Sequence, residues 1–302
     1  KKVVARAPGK LMLLGEHAVV YGYPCLVTAV NKYLTVILEE KERKTDNLTT
    51  PQVTNQTFIK TALALFREYY PSEKRYAITT ESELGIYGLG SSAATVVAVI
   101  TAMSEIQQVR LTREQVFKLC YKIVLRVQKT GSGFDVAASI YGGTIYFDGK
   151  TKKTDIITTD TIPIAVGYSG IKADTVTLIH NVEEKKKSYP EKVNKIFESI
   201  GQLVHEGKKV ISEKDWKRLG TLFTFNQNYL EDLGVSTEKL NTLITASIGA
   251  GAYGAKLSGA GGGDCMLALV PQGKKEFVVE AIKQNGGEVI HCQTSAQGVH
   301  IV

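Results

Sequence analysis

Short runs of β-branched and alternating apolar residues open the chain: 3–7, 26–30 and 34–38 read as strands, and the apolar spacing over 58–70 predicts a helix. A strand is expected over 76–81, followed by a glycine-rich break at 85–90 and a helix of small apolar residues over 91–106. Thr112 and Gln115 have the spacing of a capping box, so a further helix should start there and end near Gly131-Ser132-Gly133. A strand at 143–147 runs into the polar, threonine-rich stretch 148–161, which places a domain boundary near residue 155. Beyond it the pattern predicts a strand at 162–167 and helices around 192–205, 216–230 and 238–249. A second glycine-rich loop at 258–263, a strand at 265–270, a helix at 276–285 and two closing strands complete the chain. The fold class is therefore α+β in two halves, 1–155 and 156–302, each contributing one glycine-rich loop.

Composition changes this picture little. The 302 residues are 43% hydrophobic and 22% charged, enough for two ordinary cores sharing a cleft and unlike a disordered or fibrous chain. No apolar run approaches the roughly 20 residues that span a bilayer, which with the absence of a leader suggests a cytoplasmic protein with no membrane partner. Cys25, Cys120, Cys265 and Cys292 are scattered without paired spacing, against both a zinc site and a disulfide framework. The net charge of +7 is dispersed in mixed runs such as Lys41-Glu42-Arg43-Lys44 and Glu183-Glu184-Lys185-Lys186-Lys187. Such runs read as solvated faces, against nucleic acid and in keeping with an anionic small molecule.

The candidate chemistry sits in four segments. Gly88-Leu89-Gly90-Ser91-Ser92-Ala93 opens a helix, where unpaired amides and the positive end of the dipole suit phosphate. No Lys-Ser/Thr pair closes it in the Walker manner, but Ser92 could hold a magnesium ion. Lys256 to Asp264 is too glycine-dense for an ordinary hairpin and suggests close backbone approach to a ligand. Lys10, Glu16 and His17 cluster around a turn at Gly15, a cation, an acid and an imidazole fit for a polar anion. Asp135, after Gly131-Ser132-Gly133, is either a turn residue or the carboxylate that accepts a hydroxyl proton in phosphoryl transfer.

Taken together and in this order, these motifs resemble those of the GHMP kinases over nearly the whole chain. Pro8-Gly9-Lys10, Gly15-Glu16-His17-Ala18-Val19-Val20-Tyr21-Gly22 and Gly254 to Gly263 are most similar to the mevalonate kinase branch. The resemblance implies a ribosomal S5 domain 2-like half followed by a ferredoxin-like half. It implies ATP and Mg2+ as cofactors, mevalonate as acceptor and a homodimer. It assigns Asp135 and Lys10 to catalysis, and Gly88, Leu89, Gly90, Ser91, Ser92, Ala93, Gly261 and Gly262 to the nucleotide, with Ser92 as metal ligand. Lys10, Glu16, His17, Asp135, Ser258, Gly259 and Ala260 would meet the acceptor. Three departures stand out: Val124 where a magnesium-binding Glu is usual, no proline before the phosphate loop, and a Gly-Ser-Gly-Phe-Asp run closer to phosphomevalonate kinases. Phosphomevalonate, its extra charge met by Lys129 or Lys172, thus stays open as acceptor, as does a nucleotide sensor without catalysis.

Overall fold

The structure, a computed structural model, describes residues 1–42, 44–51 and 56–302, so Arg43 of the first charged run lies outside the described residues. The first half holds strands β1 (Lys2–Leu14), β2 (Cys25–Lys41), β3 (Asn47–Thr49), β4 (Arg75–Ser82), β5 (Thr144–Phe147) and β6 (Thr154–Thr158). Its helices are α1 (Thr57–Tyr69), α2 (Ser91–Ile106), α3 (Arg113–Gln128) and α4 (Phe134–Tyr141), with one 3-10 turn at Ala18–Tyr21. The second half holds β7 (Ile164–Tyr168), β8 (Gly254–Ser258), β9 (Cys265–Leu269), β10 (Glu288–Ile290) and β11 (His300–Ile301). Its helices are α5 (Thr175–Ser188), α6 (Pro190–Ser212), α7 (Trp216–Leu233), α8 (Glu238–Gly249) and α9 (Lys275–Gln284).

The strands form two sheets, ordered β11-β1-β2-β4-β3 with β5 and β6 attached through β2, and β10-β7-β9-β8. Helix α2 lies deep in the first layer, with residues from Ala93 to Ile106 buried around most of its circumference. Its small side chains Ala93, Ala94, Ala98 and Ala102 let the helix backbone come close to its neighbours, which suits an enclosed helix. The Thr112–Gln115 capping box that starts α3 is present in both directions, an arrangement worth about 1 kcal/mol.

Three expectations shift. The segments 26–30 and 34–38 are one strand, β2: the exposed Asn31 breaks the apolar pattern at a bulge where Asn31 and Lys32 have no partner on β1, and pairing resumes at Tyr33. The boundary near residue 155 falls inside β6, a largely exposed edge strand that pairs with β5, so its polar composition disguised a ladder as a linker. The chain end then returns to the first sheet: Thr294 bridges Val30, Gln297 bridges Gly142, and β11 pairs with β1. The first layer is therefore built from both ends of the sequence. The long strand β1 carries the Lys10 segment, with a register shift between Pro8 and Gly9, and such bulges re-aim side chains beside functional sites.

Candidate active site

The first glycine-rich loop runs from the end of β4 into α2. Gly88 and Gly90 have φ of 75° and 84°, a left-handed conformation open to glycine at little cost. Gly90 is the N-cap of α2, and no side chain caps that helix, so its first amides are free to meet an anion. The loop is pinned to β1 by one residue at two points: the Lys10 N–H donates to Leu89 O at 2.8 Å, and Lys10 Nζ donates to Gly88 O at 3.1 Å. A Cβ on Gly88 would stand 2.2 Å from Asp264 Oδ2, and one on Gly90 3.1 Å from the Lys10 stem. The Asp264 carboxylate is itself held by Lys172 Nζ and the Ala173 N–H, both at 3.2 Å, and has little room to retreat. Gly88→Ala should therefore weaken binding of a non-hydrolysable ATP analogue by about tenfold or more, with the fold retained. Calorimetric affinity within about twofold of the wild type would show that the loop tolerates the side chain.

Asp135 is the second residue of α4, whose N-cap is the left-handed Gly133. It is therefore a helix residue rather than a turn residue, and its Oδ1 accepts the Val136 N–H at 2.9 Å. Burial pushes its carboxyl above the usual carboxylate range, and the charge of Lys10 is the leading opposing influence. Lys10, 8% exposed, is driven the other way: burial lowers its ammonium, with Asp135 the largest influence that raises it. Its Nζ also lies 5.6 Å from the centre of the Phe134 ring. Burial thus moves the proton affinities of a carboxyl and an ammonium toward one another beside the first glycine-rich loop, an arrangement with the chemistry to handle a proton and to stabilise negative charge.

The turn after β1 joins the two halves. His17 adopts a left-handed φ of 59°, is buried, and its Nε2 pairs with Ala260 O at 2.8 Å. Burial lowers its imidazole below the ordinary range, so the ring is neutral near pH 7 and Nε2–H is the donor. Glu16 is buried in an ion pair with Lys256 on β8, and its Oε2 accepts Asn226 Nδ2 from α7 at 3.0 Å. Breaking such a pair by removing one partner costs about 3–5 kcal/mol. Ser258 Oγ accepts the Met12 N–H at 2.9 Å and donates to Met12 O at 3.1 Å, so this hydroxyl is committed to the junction.

These groups surround one cleft of about 500 Å³ between the halves, a size suited to small ligands. Lys10, Glu16, His17, Gly88 to Ser92, Asp135, Ser258, Gly259 and Ala260 all line it. Ala93, Gly261 and Gly262 are absent from its walls: Ala93 is buried inside α2, while a Cβ on Gly261 would strike Val235 O at 2.1 Å and one on Gly262 Leu178 at 2.7 Å. These two glycines let the loop pack on the second half and do not face the cleft. Lys172 lines the cleft but is paired with Asp264, and Lys129, the left-handed C-cap of α3, is not among the lining residues.

The cleft residues Val176 and Ile179 escaped the sequence reading, and Asp264 entered it only as the end of the second glycine-rich loop. Asn226, just behind the wall, was missed too, and Lys256 was named only as the start of that loop, without its pairing to Glu16. A lysine in the middle of Gly-Ala-Lys-Leu-Ser, an otherwise apolar strand, was the available signal, because lysine is almost never fully buried unless paired. Among the described residues no three His, Cys, Asp or Glu side chains converge as a metal cage. Mg2+ demands less, because it keeps waters and takes one or two protein oxygens beside substrate phosphates. Ser92 and Asp135 both line the cleft and offer such oxygens, whereas Val124 and Gln128 on α3 offer no carboxylate.

Comparison with known proteins agrees with this geometry. Residues 56–143 match the GHMP kinases N terminal domain, residues 208–288 the GHMP kinases C terminal domain, and residues 1–39 the galactokinase galactose-binding signature. A mevalonate kinase of Thermococcus sibiricus is 37% identical, with 99% of this chain and 98% of that protein covered. Among solved structures, the Lin0012 protein from Listeria innocua superposes with a TM-score of 0.90 at 25% identity, covering 100% of this chain and 99% of that one. The L. major mevalonate kinase in complex with R-mevalonate gives 0.83 at 25% identity, over 97% of this chain and 95% of that one. No helix among the described residues is long and apolar enough to cross a membrane.

Proposed function

The chain belongs to the GHMP kinases, and from that premise we propose that it transfers the γ-phosphoryl group of ATP to the 5-hydroxyl of mevalonate. The observation that carries the reading is the convergence of the uncapped α2 amides, Lys10 and Asp135 on one cleft. The full-length relative at 37% identity supports mevalonate as the acceptor. Of the lysines that could meet a second phosphate, Lys172 lines the cleft in an ion pair with Asp264, and Lys129 is not among the lining residues.

In this reading Gly88 to Ser92 bind the triphosphate through backbone amides at the start of α2. Asp135, ionised, accepts the proton of the acceptor hydroxyl as its oxygen bonds to the γ-phosphorus and the bond to the β-phosphate oxygen breaks, releasing ADP. Lys10 holds the phosphate loop in place and stabilises charge on the transferring group. Mg2+ would be held by Ser92 and phosphate oxygens, and when bound it neutralises phosphate charge. His17 and Ala260 close the acceptor end of the cleft.

The test is a side-by-side acceptor assay with purified protein, ATP and Mg2+. ADP should form when mevalonate is supplied and remain at background with phosphomevalonate. Turnover of phosphomevalonate alone would move the acceptor, and no acceptor-dependent ADP at all would point to the sensor reading.

A further inference from the structure

Strand β8 is an edge strand of the second sheet, and it carries the loop that borders the acceptor end of the cleft. Edge strands need their free groups covered, and one backbone group here is met from α7, while side chains of β8, and the loop after it, are tied to the other half. From α7, Gln227 Oε1 accepts the Leu257 N–H at 3.0 Å. From the other half of the molecule, the segment 12–17 reaches across three times: Met12 to Ser258, Glu16 to Lys256, and His17 to Ala260.

The middle tether differs from the other two in being ionic and wholly enclosed. Glu16 is 1% exposed and Lys256 0%. Both Glu16 oxygens are taken, one by Lys256 and the other by Asn226. Lys256 Nζ also donates to Leu257 O and lies 5.8 Å from the Phe223 ring centre. One bond to each oxygen aims the carboxylate at Lys256 and Asn226 of the second half, although its residue borders the cleft.

We propose that Glu16 and Lys256 are positioning residues, a buried clamp between the halves that holds the 258–263 loop over the acceptor, and that Glu16 does not itself bind the acceptor. The proposal rests on the reading of the cleft as a mevalonate phosphotransfer site. A buried ion pair is a poor source of stability, because desolvation offsets its attraction, but it fixes one arrangement of the elements that carry it. The clamp places His17 opposite Ala260 and keeps Ser258 in register with Met12. The phosphate loop has its own hold on β1, through Lys10 to Leu89 and Gly88.

The experiment compares Glu16→Gln, Lys256→Met and the neutral double variant. Each single substitution should raise the mevalonate KM by about tenfold or more, with ATP-analogue affinity within about twofold, and the double variant should be no worse than the worse single one. Amide hydrogen exchange of 258–263, measured without acceptor, should accelerate about tenfold in each. A raised KM in Glu16→Gln beside a wild-type KM in Lys256→Met would mean that Glu16 binds the acceptor directly, and would overturn the proposal. Unchanged loop exchange in folded variants would overturn it equally. Should Lys256→Met not fold, Asn226→Ala removes only the second hold on Glu16; it should shift both readouts the same way, and no shift in either sinks the clamp. Because exchange is read without acceptor, a wild-type protein that ignored mevalonate would count against the function while leaving the clamp measurable.

Discussion

Asp135→Asn should lower kcat by about a thousandfold while an ATP analogue binds within about twofold of the wild type, because proton acceptance is lost and the phosphate loop is untouched. Asparagine keeps the size of the side chain and an oxygen that can still accept the Val136 N–H, now made at 2.9 Å. What it removes is the group able to take a proton and the only negative charge on α4 facing Lys10. The kinetic signature separates this from misfolding: the acceptor KM should move little, since the walls of the cleft remain. The wild-type acid limb should report ionisation of Asp135, whose carboxyl burial raises above the usual range, so activity should fall as pH drops through that raised value. In Asp135→Asn the residual rate should no longer follow this limb. A kcat within about tenfold of the wild type would remove Asp135 from proton transfer.

What could be read from the chain and what could not divides along the range of the interactions. Helix α2 matched its expected bounds because its small-residue run and the preceding glycines are local signals. The α3 start was legible for the same reason, its capping box spanning three residues. Helix α5 was not, since only Val182 is buried on it and the charged run 183–187 winds around its last turn. The short helix α4 was hidden behind Gly131 and Gly133, whose turn character outweighed the apolar residues Val136 to Ile140. The return of β11 to β1 left no local trace at all, because pairing Ala5 with Ile301 depends on the whole intervening fold.

At the site the same rule holds with one refinement. Gly88, Gly90, Lys10 and Asp135, singled out by type and spacing, all line the cleft. The second loop misled in part. Its glycine density does reflect close approach, but for Gly261 and Gly262 the approaching partners are Val235 and Leu178 of the protein itself. Ser258 and Glu16 likewise proved to be joined to Met12 and Lys256. A sequence motif marks where atoms crowd, and only the fold says whether the crowding partner is ligand or chain.

Lys10→Met carries the other large effect, because one ammonium group serves two neighbours. Methionine preserves most of the stem beside Gly90 and the Lys10 N–H bond to Leu89 O. It abolishes the bond from Nζ to Gly88 O and the positive charge next to Asp135. Loss of charge stabilisation in a recessed site should lower kcat by about a hundredfold to a thousandfold. The pH profile should then change in a definite sense. Lys10 is the main influence pulling the Asp135 carboxyl down against burial, so without it the base ionises less readily and the acid limb must move to higher pH. An alkaline limb set by the Lys10 ammonium, which burial lowers, should be absent as well, since the variant has no such proton to lose. Lys10→Arg, which keeps a charge that does not titrate, should retain the acid limb near its wild-type position while likewise lacking the alkaline one. An acid limb that stayed in place in Lys10→Met would mean that the two groups are not electrostatically coupled in the working enzyme, and the pairing of acid and base across the mouth of the phosphate loop would have to be abandoned.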